Sequence, residues 1–299
     1  MSKKTVFLKD TSVSSKVQLL LMVMKKLYRE GNRTGYILGD KTGDIKALLD
    51  NGIKLQVGQV IEVWGTRESN LEISKFAEVI EYDLEDYLPA LKRPIDEVMD
   101  EMEKLTREVI VSDEALLLND YFFKNEEFVS RFKKGIGGVS MHHNYIGGLA
   151  EHTLNVMFLT KFLCERYDSR KLEIAVLSAK LHDIGKIYEL DYNGPFRYTL
   201  RGEMEGHIVI GVEMINEAIQ AYPQRYSEDF VMRVKGCVVQ HHGKLEFGSP
   251  REMKMEEAFA LNFADSIDAT MNKIAQIREN TDENQWSDYD RRIETRLYL

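Results

Sequence analysis

The histidines and acidic residues in the middle of the chain have the types and spacing of a buried metal centre. All seven histidines lie between residues 142 and 242. Five of them form a series whose steps are about one or two helices long: His152, His182, His207 and the adjacent pair His241 and His242. One histidine on an apolar helix is usually a hydrogen-bonded core residue. Several buried imidazoles with the nearby Asp183 and Asp265 would each carry a desolvation cost unless they shared a cation.

The ligand types limit the metals and the chemistry. Imidazole and carboxylate ligands suit Mn²⁺, Fe²⁺, Co²⁺, Ni²⁺ or Zn²⁺, and they argue against a cysteine-rich zinc site or an all-oxygen calcium site. Asp183 has two oxygens, which can bridge two cations about 3.5 to 4 Å apart. The other ligands would then divide between the ions: His152 and Asp265 on one, His207 with His241 or His242 on the other. Such a pair would activate water for attack on phosphorus and neutralise charge on the phosphoryl oxygens.

Two further residues have either a functional or an ordinary structural explanation. Lys186 ends the segment HDIGK, where an apolar helix runs into Gly185. It would add a cation beside the phosphate, or it is a solvated lysine just past a helix end. Asp268 lies three residues after Asp265 and on the same helix face, so it either orients a metal ligand or has a solvent-facing or capping role.

Length and composition indicate a two-part globular protein. A chain of 299 residues exceeds what one hydrophobic core usually holds. Its 43% hydrophobic and 30% charged residues are globular values. Cys164 and Cys237 lie in apolar helical stretches and are expected to be buried thiols. The early apolar run at residues 19–24 is too short to span a bilayer and lacks a cleavage site, so a cytoplasmic location is expected.

The net charge of −9 is unevenly distributed along the chain. Residues 1–83 hold 13 Lys and Arg against 11 Asp and Glu, which leaves −11 for residues 84–299. The acidity therefore belongs to the second part. A weakly positive first part is compatible with nucleic-acid binding but does not establish it.

Residues 1–83 have the pattern of a small β-barrel. Five alternating or apolar runs are separated by turn signals, at residues 17–24, 35–38, 45–49, 60–64 and 71–80. The stretches LGDKTGDIKALL and VGQVIEVWG resemble parts of oligonucleotide-binding (OB) folds. Tyr36, Trp64 and Phe76 are candidates for stacking on bases, with packing in the core or rim as the alternative.

The remainder is predicted to be helical, which makes the fold class a small OB-like barrel followed by an all-α domain. Pro89 and Pro94 mark a break, and apolar residues then recur at helical spacing in a linker of residues 84–140. An amphipathic segment is predicted over residues 113–134. Helices in the last part, residues 141–299, are predicted at 149–167, 172–182, 206–221, 229–241 and 253–277.

The order of motifs resembles the YhaM-type 3′-to-5′ exoribonucleases over essentially the whole chain. The motifs follow the barrel and linker in this order: MHHNYIGGLAEHTLNV, KLHDIGK, GHIVIG, QHHG, FADSIDA and WSDYDRRIETRLYL. The HD motifs are highly specific in combination, whereas those of the barrel are less so. The resemblance implies an HD-type phosphohydrolase, usually served by Mn²⁺, that releases 5′-mononucleotides from the 3′ end of single-stranded RNA and sometimes DNA.

The family's HD ligand positions match His152, His182, Asp183, His207, His241 and Asp265. His242 joins or replaces His241. His142 and His143 match a signature of the family. Their side chains would either contact a phosphate of the substrate or pack within the protein.

Two other functions fit parts of the pattern. A phosphohydrolase acting on nucleotides or cyclic dinucleotides would use the same metal centre and would need no barrel. A non-catalytic nucleic-acid-binding regulator would hold a structural metal and would need neither Lys186 nor an open coordination position. The appended barrel weighs against the first, and the complete ligand set weighs against the second.

Overall fold

A computed structural model describes residues 4–139 and 143–299 of the chain. The chain forms two compact units. The first contains the described residues up to Ala90 together with Asp191–Arg197. The second contains Leu91–Leu190 and Tyr198–Leu299.

The first unit is a five-stranded closed barrel. Its strands are β1 (Ser15–Glu30), β2 (Arg33–Asp40), β3 (Gly43–Asp50), β4 (Val60–Arg67) and β5 (Leu71–Val79). The hydrogen-bonded order is β1-β2-β3-β5-β4, and β4 closes back onto β1. All pairs are antiparallel except β3 and β5, which meet in parallel at the bridge between Ala47 and Leu71.

Strand β1 is long enough to pair along both of its edges. Its first half pairs with β4 and its second half with β2, and register shifts after Val23 and after Lys26 separate stretches of the β2 pairing. Such irregularities bend a strand, which a small barrel requires. Inward-facing side chains such as Leu19, Leu21 and Val23 form the barrel core.

The second unit is helical. Its helices are α1 (Ile95–Val109), α2 (Asp113–Phe123), α3 (Glu126–Lys134), α4 (Gly148–Arg166), α5 (Leu172–Leu181), α6 (Lys186–Glu189), α7 (Leu200–Ala221), α8 (Glu228–Gln240) and α9 (Glu256–Glu279). Helix α5 is buried from Ile174 to Leu181, and α4, α8 and α9 pack around it. Among the described helices, none is both long and apolar enough to cross a bilayer.

The helices between residues 95 and 134 share an apolar core with the later helices of the second unit. Val98, Leu118 and Phe132 are buried in the same apolar cluster as the residues of α4 and α5. The cluster also contains Cys237, and both cysteines are buried free thiols, as expected.

Two elements differ from the sequence-based prediction. The segment 113–134 is two helices, because the side chain of Asn125 accepts a hydrogen bond from the backbone N–H of Phe128 at 3.1 Å and so caps a new helix. The last part is also not wholly helical, since a two-stranded sheet joins β6 (Leu190–Asp191) to β7 (Arg197–Tyr198).

Candidate metal centre

Five helices of the second unit bring the predicted ligands together. His152 lies in the first turns of α4, and His182 and Asp183 follow the last residue of α5. The remaining ligands come from α7, the end of α8 and α9: His207, His241, His242 and Asp265. His152, His182, Asp183 and His241 are buried, with at most 2% of their surface exposed.

The five imidazoles share one hydrogen-bonding pattern. Each Nδ1 lies within 3.0 Å of an acceptor oxygen, which leaves Nε2 to face the centre. The acceptors are Asp268 for His152, the Ala179 carbonyl for His182, Glu189 for His207, the Val238 carbonyl for His241 and the Phe247 carbonyl for His242. A ring that donates from Nδ1 carries its lone pair on Nε2, the form in which histidine binds a metal.

Asp183 lies between two groups of ligands, and each of its oxygens faces one group. Oδ2 is 3.4 Å from His152 Nε2 and 3.3 Å from His182 Nε2. Asp265 Oδ1 joins this first group at 3.2 Å from His152 Nε2. Oδ1 of Asp183 lies 3.5 Å from His207 Nε2 and 3.7 Å from His241 Nε2.

Both groups have the spacing of cation ligands. The candidate ligand atoms of His152, His182 and Asp183 lie within 4.8 Å of one another, and so do those of His207, His241 and His242. The structure therefore brings His241 and His242 to the same group, and it does not choose between them.

Unpartnered atoms test whether this arrangement fits a metal. Asp183 Oδ1, His207 Nε2 and His241 Nε2 are buried and have no hydrogen-bond partner among the described residues. In the other group, Nε2 of His152 and Nε2 of His182 lie 3.2 Å apart, although each ring uses its Nδ1 elsewhere. Buried lone pairs at these positions are costly unless a cation or proton lies between them. The residues therefore fit a bound metal.

The electrostatics of the centre keep Asp183 and His241 in metal-binding forms. At His152, burial lowers the pKa, but the three carboxylates bonded to the ring outweigh it and raise that pKa above its usual range. Burial raises the pKa of Asp183, but the charges of Lys186 and His182 outweigh it and hold that pKa well below the usual range. Burial and the neighbouring His242 lower the pKa of His241, so its imidazole is neutral. An ionised carboxylate and a neutral imidazole are the ligand forms that metals require.

Lys186 and Gly185 show why the HDIGK segment has this sequence. The Lys186 ammonium donates to Asp183 Oδ2 at 2.7 Å and to the Gly137 carbonyl at 2.8 Å. A Cβ on Gly185 would lie 2.0 Å from the backbone oxygen of His207. Glycine is therefore required for α7 to approach closely enough to place His207 in the centre.

A second layer of polar residues supports the ligands. Asp268 accepts from His152 Nδ1 and lies 2.7 Å from His143 Nε2. His143 Nδ1 in turn lies 2.8 Å from the hydroxyl of Tyr145, which donates to Glu151. Asp268 is thus tied to two imidazoles, as the sequence analysis proposed for an orienting residue.

Glu189 is the supporting residue that the sequence analysis missed. Its Oε1 lies 3.0 Å from both the backbone nitrogen and Nδ1 of His207. Glu189 comes seven residues after His182, but a hairpin separates it from His207. Helical spacing therefore gave no signal for this pair.

The structure does not bring the predicted base-stacking residues together. Tyr36 is fully buried, and its hydroxyl lies 3.4 Å from the Ile53 carbonyl and 3.3 Å from the Leu55 nitrogen. Its ring is part of the barrel core, which is the packing alternative stated for this residue. Trp64 pairs with Lys75, whose ammonium lies 5.0 Å from the indole centroid.

Phe76 and His143 have partners inside the protein, whereas His142 lies outside the described residues. Phe76 is opposite the buried Val63 on β4 and packs against the barrel core. His143 is 1% exposed and lies beside Asp268, and its ring centroid is 5.2 Å from that of His152.

Comparisons with known proteins agree with the geometry. Residues 149–270 match the HD domain family model. The chain is 28% identical to the 3′-5′ exoribonuclease YhaM of Geobacillus sp. strain WCH70, over 88% of this chain and 83% of that protein. It is 27% identical to the 3′-5′ exoribonuclease YhaM of Bacillus subtilis strain 168, over 88% of this chain and 86% of that protein.

The chain is 25% identical to the 3′-5′ exoribonuclease YhaM of Bacillus velezensis, over 88% of this chain and 86% of that protein. No solved structure matches the chain. The HD match covers every residue of the two ligand groups, and the relatives extend the similarity over both units. The chain carries an HD domain at residues 149–270, and it is similar to the YhaM exoribonucleases over 88% of its length.

Proposed function

We propose that the chain is a metal-dependent 3′-to-5′ exoribonuclease. Its substrate is single-stranded RNA, with single-stranded DNA as a second substrate, and its products are 5′-mononucleotides. The observation that carries the proposal is the position of Asp183 between two groups of imidazoles whose Nε2 atoms face inward. The named activity of the relatives gives the direction and the substrate.

The ligand set favours two divalent ions, and we propose Mn²⁺. His152, His182, Asp183 and Asp265 would hold one ion, and Asp183 with His207, His241 and His242 would hold the other. When bound, such ions activate water and stabilise negative charge on a phosphoryl group. Imidazole and carboxylate ligands accept Mn²⁺ but also Fe²⁺, Co²⁺, Ni²⁺ and Zn²⁺.

The protein's own residues would position the reaction. Asp268 and Glu189 fix the orientation of His152 and His207 through Nδ1, so that both Nε2 atoms point to the centre. Lys186 holds a buried positive charge against Asp183 and adds to the field that attracts a phosphate. Asp183 and Lys186 are the residues that we assign to catalysis.

We propose that the barrel is OB-like and binds the RNA chain. OB folds are five-stranded Greek-key barrels, and the strand order β1-β2-β3-β5-β4 fits that description. A groove of about 660 Å³ opens between β3 and β5, where the pairing is reduced to the bridge between Ala47 and Leu71. Phe76, Ile73 and Leu49 line it together with Arg33 and Lys75.

This groove would bind bases through its apolar wall and phosphates through its cations. Phe76 lines the groove and is therefore proposed to stack on bases. Trp64 is not among the lining residues; it lies opposite Lys75, one position further along the β4–β5 pair. Aromatic rings beside basic side chains are the usual means of binding single strands.

The test compares substrates under one set of conditions. The purified protein with added Mn²⁺ is incubated with single-stranded RNA, single-stranded DNA, nucleoside triphosphates and cyclic dinucleotides. Hydrolysis of RNA to 5′-mononucleotides is the expected result. Preferential hydrolysis of the nucleotides would favour a nucleotide phosphohydrolase, and binding of RNA without any hydrolysis would favour a regulator.

A further inference from the structure

We propose that residues 284–299 form a stacking platform for single-stranded RNA, anchored to the helix that carries Asp265. The inference rests on the proposed function, because it assigns a strand-binding surface to the same site. The segment has no role in the proposed metal chemistry or in the proposed binding of RNA by the barrel.

The segment is a hairpin whose two arms are joined by backbone hydrogen bonds. Bridges pair Trp286 with Tyr298 and Asp290 with Thr295. The Ser287 nitrogen donates to the Leu297 carbonyl at 2.8 Å, and the Asp290 nitrogen donates to the Thr295 carbonyl at 3.0 Å. The hairpin therefore has a defined shape and can present side chains in fixed positions.

Its aromatic side chains face outward. Trp286 is 60% exposed and Tyr298 is 59% exposed, and their ring centroids lie 5.6 Å apart at an angle of 62°. The guanidinium of Arg296 lies 5.4 Å from the indole centroid. Together these three side chains form an exposed surface with two rings and one cation.

A polar stripe along α9 connects the hairpin to the metal centre. Asp265, Asp268, Asn272 and Gln276 are spaced by three or four residues and therefore lie on one helix face. Asp265 is a ligand, and Asp268 supports His152. The last two positions continue the contacts: Asn272 accepts from the His143 nitrogen, and Gln276 donates to Asn144.

Arg292 anchors the hairpin at the far end of this stripe. Its guanidinium donates to Gln276 Oε1 and forms an ion pair with Asp290 at 2.8 Å. Gln276 lies eleven residues after Asp265 on the helix, which corresponds to about 16 Å along the axis. A strand whose 3′ end lies in the metal centre would span this distance with its preceding nucleotides.

The chemistry of the surface favours a nucleic-acid strand over a protein partner. Every base has a face that stacks on aromatic rings, and arginine adds a cation–π and a phosphate contact. The hairpin contains three arginines and three acidic residues, so its side-chain charges balance, and Arg296 is the cation that lies over the Trp286 ring. We therefore expect binding that depends mainly on stacking.

The direct test uses tryptophan fluorescence. The chain has two tryptophans, so Trp64→Phe leaves Trp286 as the sole reporter. The full-length variant with Mn²⁺ is titrated with a 12-nucleotide single-stranded RNA whose phosphorothioate linkages resist hydrolysis. We expect saturable quenching of the Trp286 emission by this strand and none by a blunt duplex of the same sequence.

Affinity is measured in parallel by the anisotropy of the same RNA carrying a 5′ fluorophore. The Trp286→Leu, Tyr298→Leu double variant should raise the Kd at least about tenfold, given the usual loss on removing stacking contacts. The conservative variant Trp286→Phe should recover much of that affinity. Tyr167→Ala is the matched control, because Tyr167 is 76% exposed but follows α4 at the end remote from His152.

Both measurements are made without turnover, so they do not depend on hydrolysis. Failure of the wild-type protein to degrade RNA would overturn the proposed function and leave this inference standing if quenching occurs. Unchanged Trp286 emission at saturating RNA would overturn the inference, as would equal affinity of the wild-type protein and the double variant. The hairpin would then be a surface for another partner, such as a protein.

Discussion

At the scale of single residues, the centre depends on Asp183 and on the tautomers of the surrounding histidines. The sequence predicted that these histidines and aspartates come together, because such residues recurring on apolar helices need a common reason for burial. It could not predict the acceptors that fix each ring, since Ala179, Val238 and Phe247 contribute backbone carbonyls. A backbone oxygen has no signature in residue type.

Asp183→Asn should abolish turnover without unfolding the chain. The amide keeps the shape of the side chain but removes the negative charge that faces both ligand groups. We expect turnover to fall by more than about 100-fold, beyond the range usual for supporting residues. Bound metal and activity are measured on one sample whose far-ultraviolet circular dichroism matches the wild type. The exposed Asp282→Asn is the control, and full activity of Asp183→Asn would exclude a bridging carboxylate.

Asp268→Asn should weaken the centre less severely. The amide no longer accepts from His152 as a charged group, so the imidazole loses part of its orientation. Loss of such a partner usually costs about 10- to 100-fold in metal affinity or activity. Activity is measured against metal concentration, and a shift of the curve that added metal restores would identify a positioning residue. A loss that no metal concentration restores would contradict this assignment.

At the scale of elements, most helices and strands were predictable, whereas their interruptions were not. Apolar periodicity identified α4, α5 and α9 because long buried helices repeat the pattern over several turns. Local hydrogen bonds decide the exceptions. Asn125 starts α3 by capping it, and α7 begins at Leu200, six residues before the predicted start, with a break at Gly206.

Gly206→Ala should disturb His207. Gly206 has φ +72° and ψ 158° inside α7, a conformation that is essentially restricted to glycine. We expect a loss of about 1–3 kcal/mol in the free energy of unfolding, together with lower activity. Gly211→Ala in the same helix is the control, because its Cβ would meet other atoms at no less than 3.6 Å. Equal stability and activity of the two variants would show that the break does not position His207.

Lys180 should make the stability of the helical unit depend on pH. It is buried beneath the Phe123 ring and donates to Thr106 and Asn119, and burial lowers its pKa from 10.5 to about 7. Between these two pH values the unfolded chain binds more protons than the folded chain, so stability rises with pH. The expected slope is on the order of 1 kcal/mol per pH unit.

Urea denaturation at pH 7, 8 and 9 measures this slope. Lys180→Met should remove the excess slope, even if the variant is less stable overall because Thr106 and Asn119 lose a partner. The exposed Lys104→Met should keep the wild-type slope. A slope that is the same in the wild type and in Lys180→Met would show that Lys180 is not the group responsible.

At the scale of the whole molecule, the order of the barrel and the helical domain was predictable, but the division between the units was not. The composition changes near the two prolines, and the first compact unit runs to Ala90 between them. The segment Asp191–Arg197 also belongs to the first unit, although only Leu190 separates it from α6 in the sequence. Long-range contacts of this kind leave no pattern in a single sequence.

The direction and metal dependence of RNA hydrolysis are the central claims, and one gel experiment tests both. The purified protein is incubated with 5′-labelled single-stranded RNA in Mn²⁺ or in chelator, and samples are resolved at early times. We expect a ladder that shortens one nucleotide at a time in Mn²⁺, with 5′-mononucleotides as products, and intact RNA in chelator. Undiminished cleavage in chelator, internal cuts at early times or release of the 5′ label as the first product would contradict it.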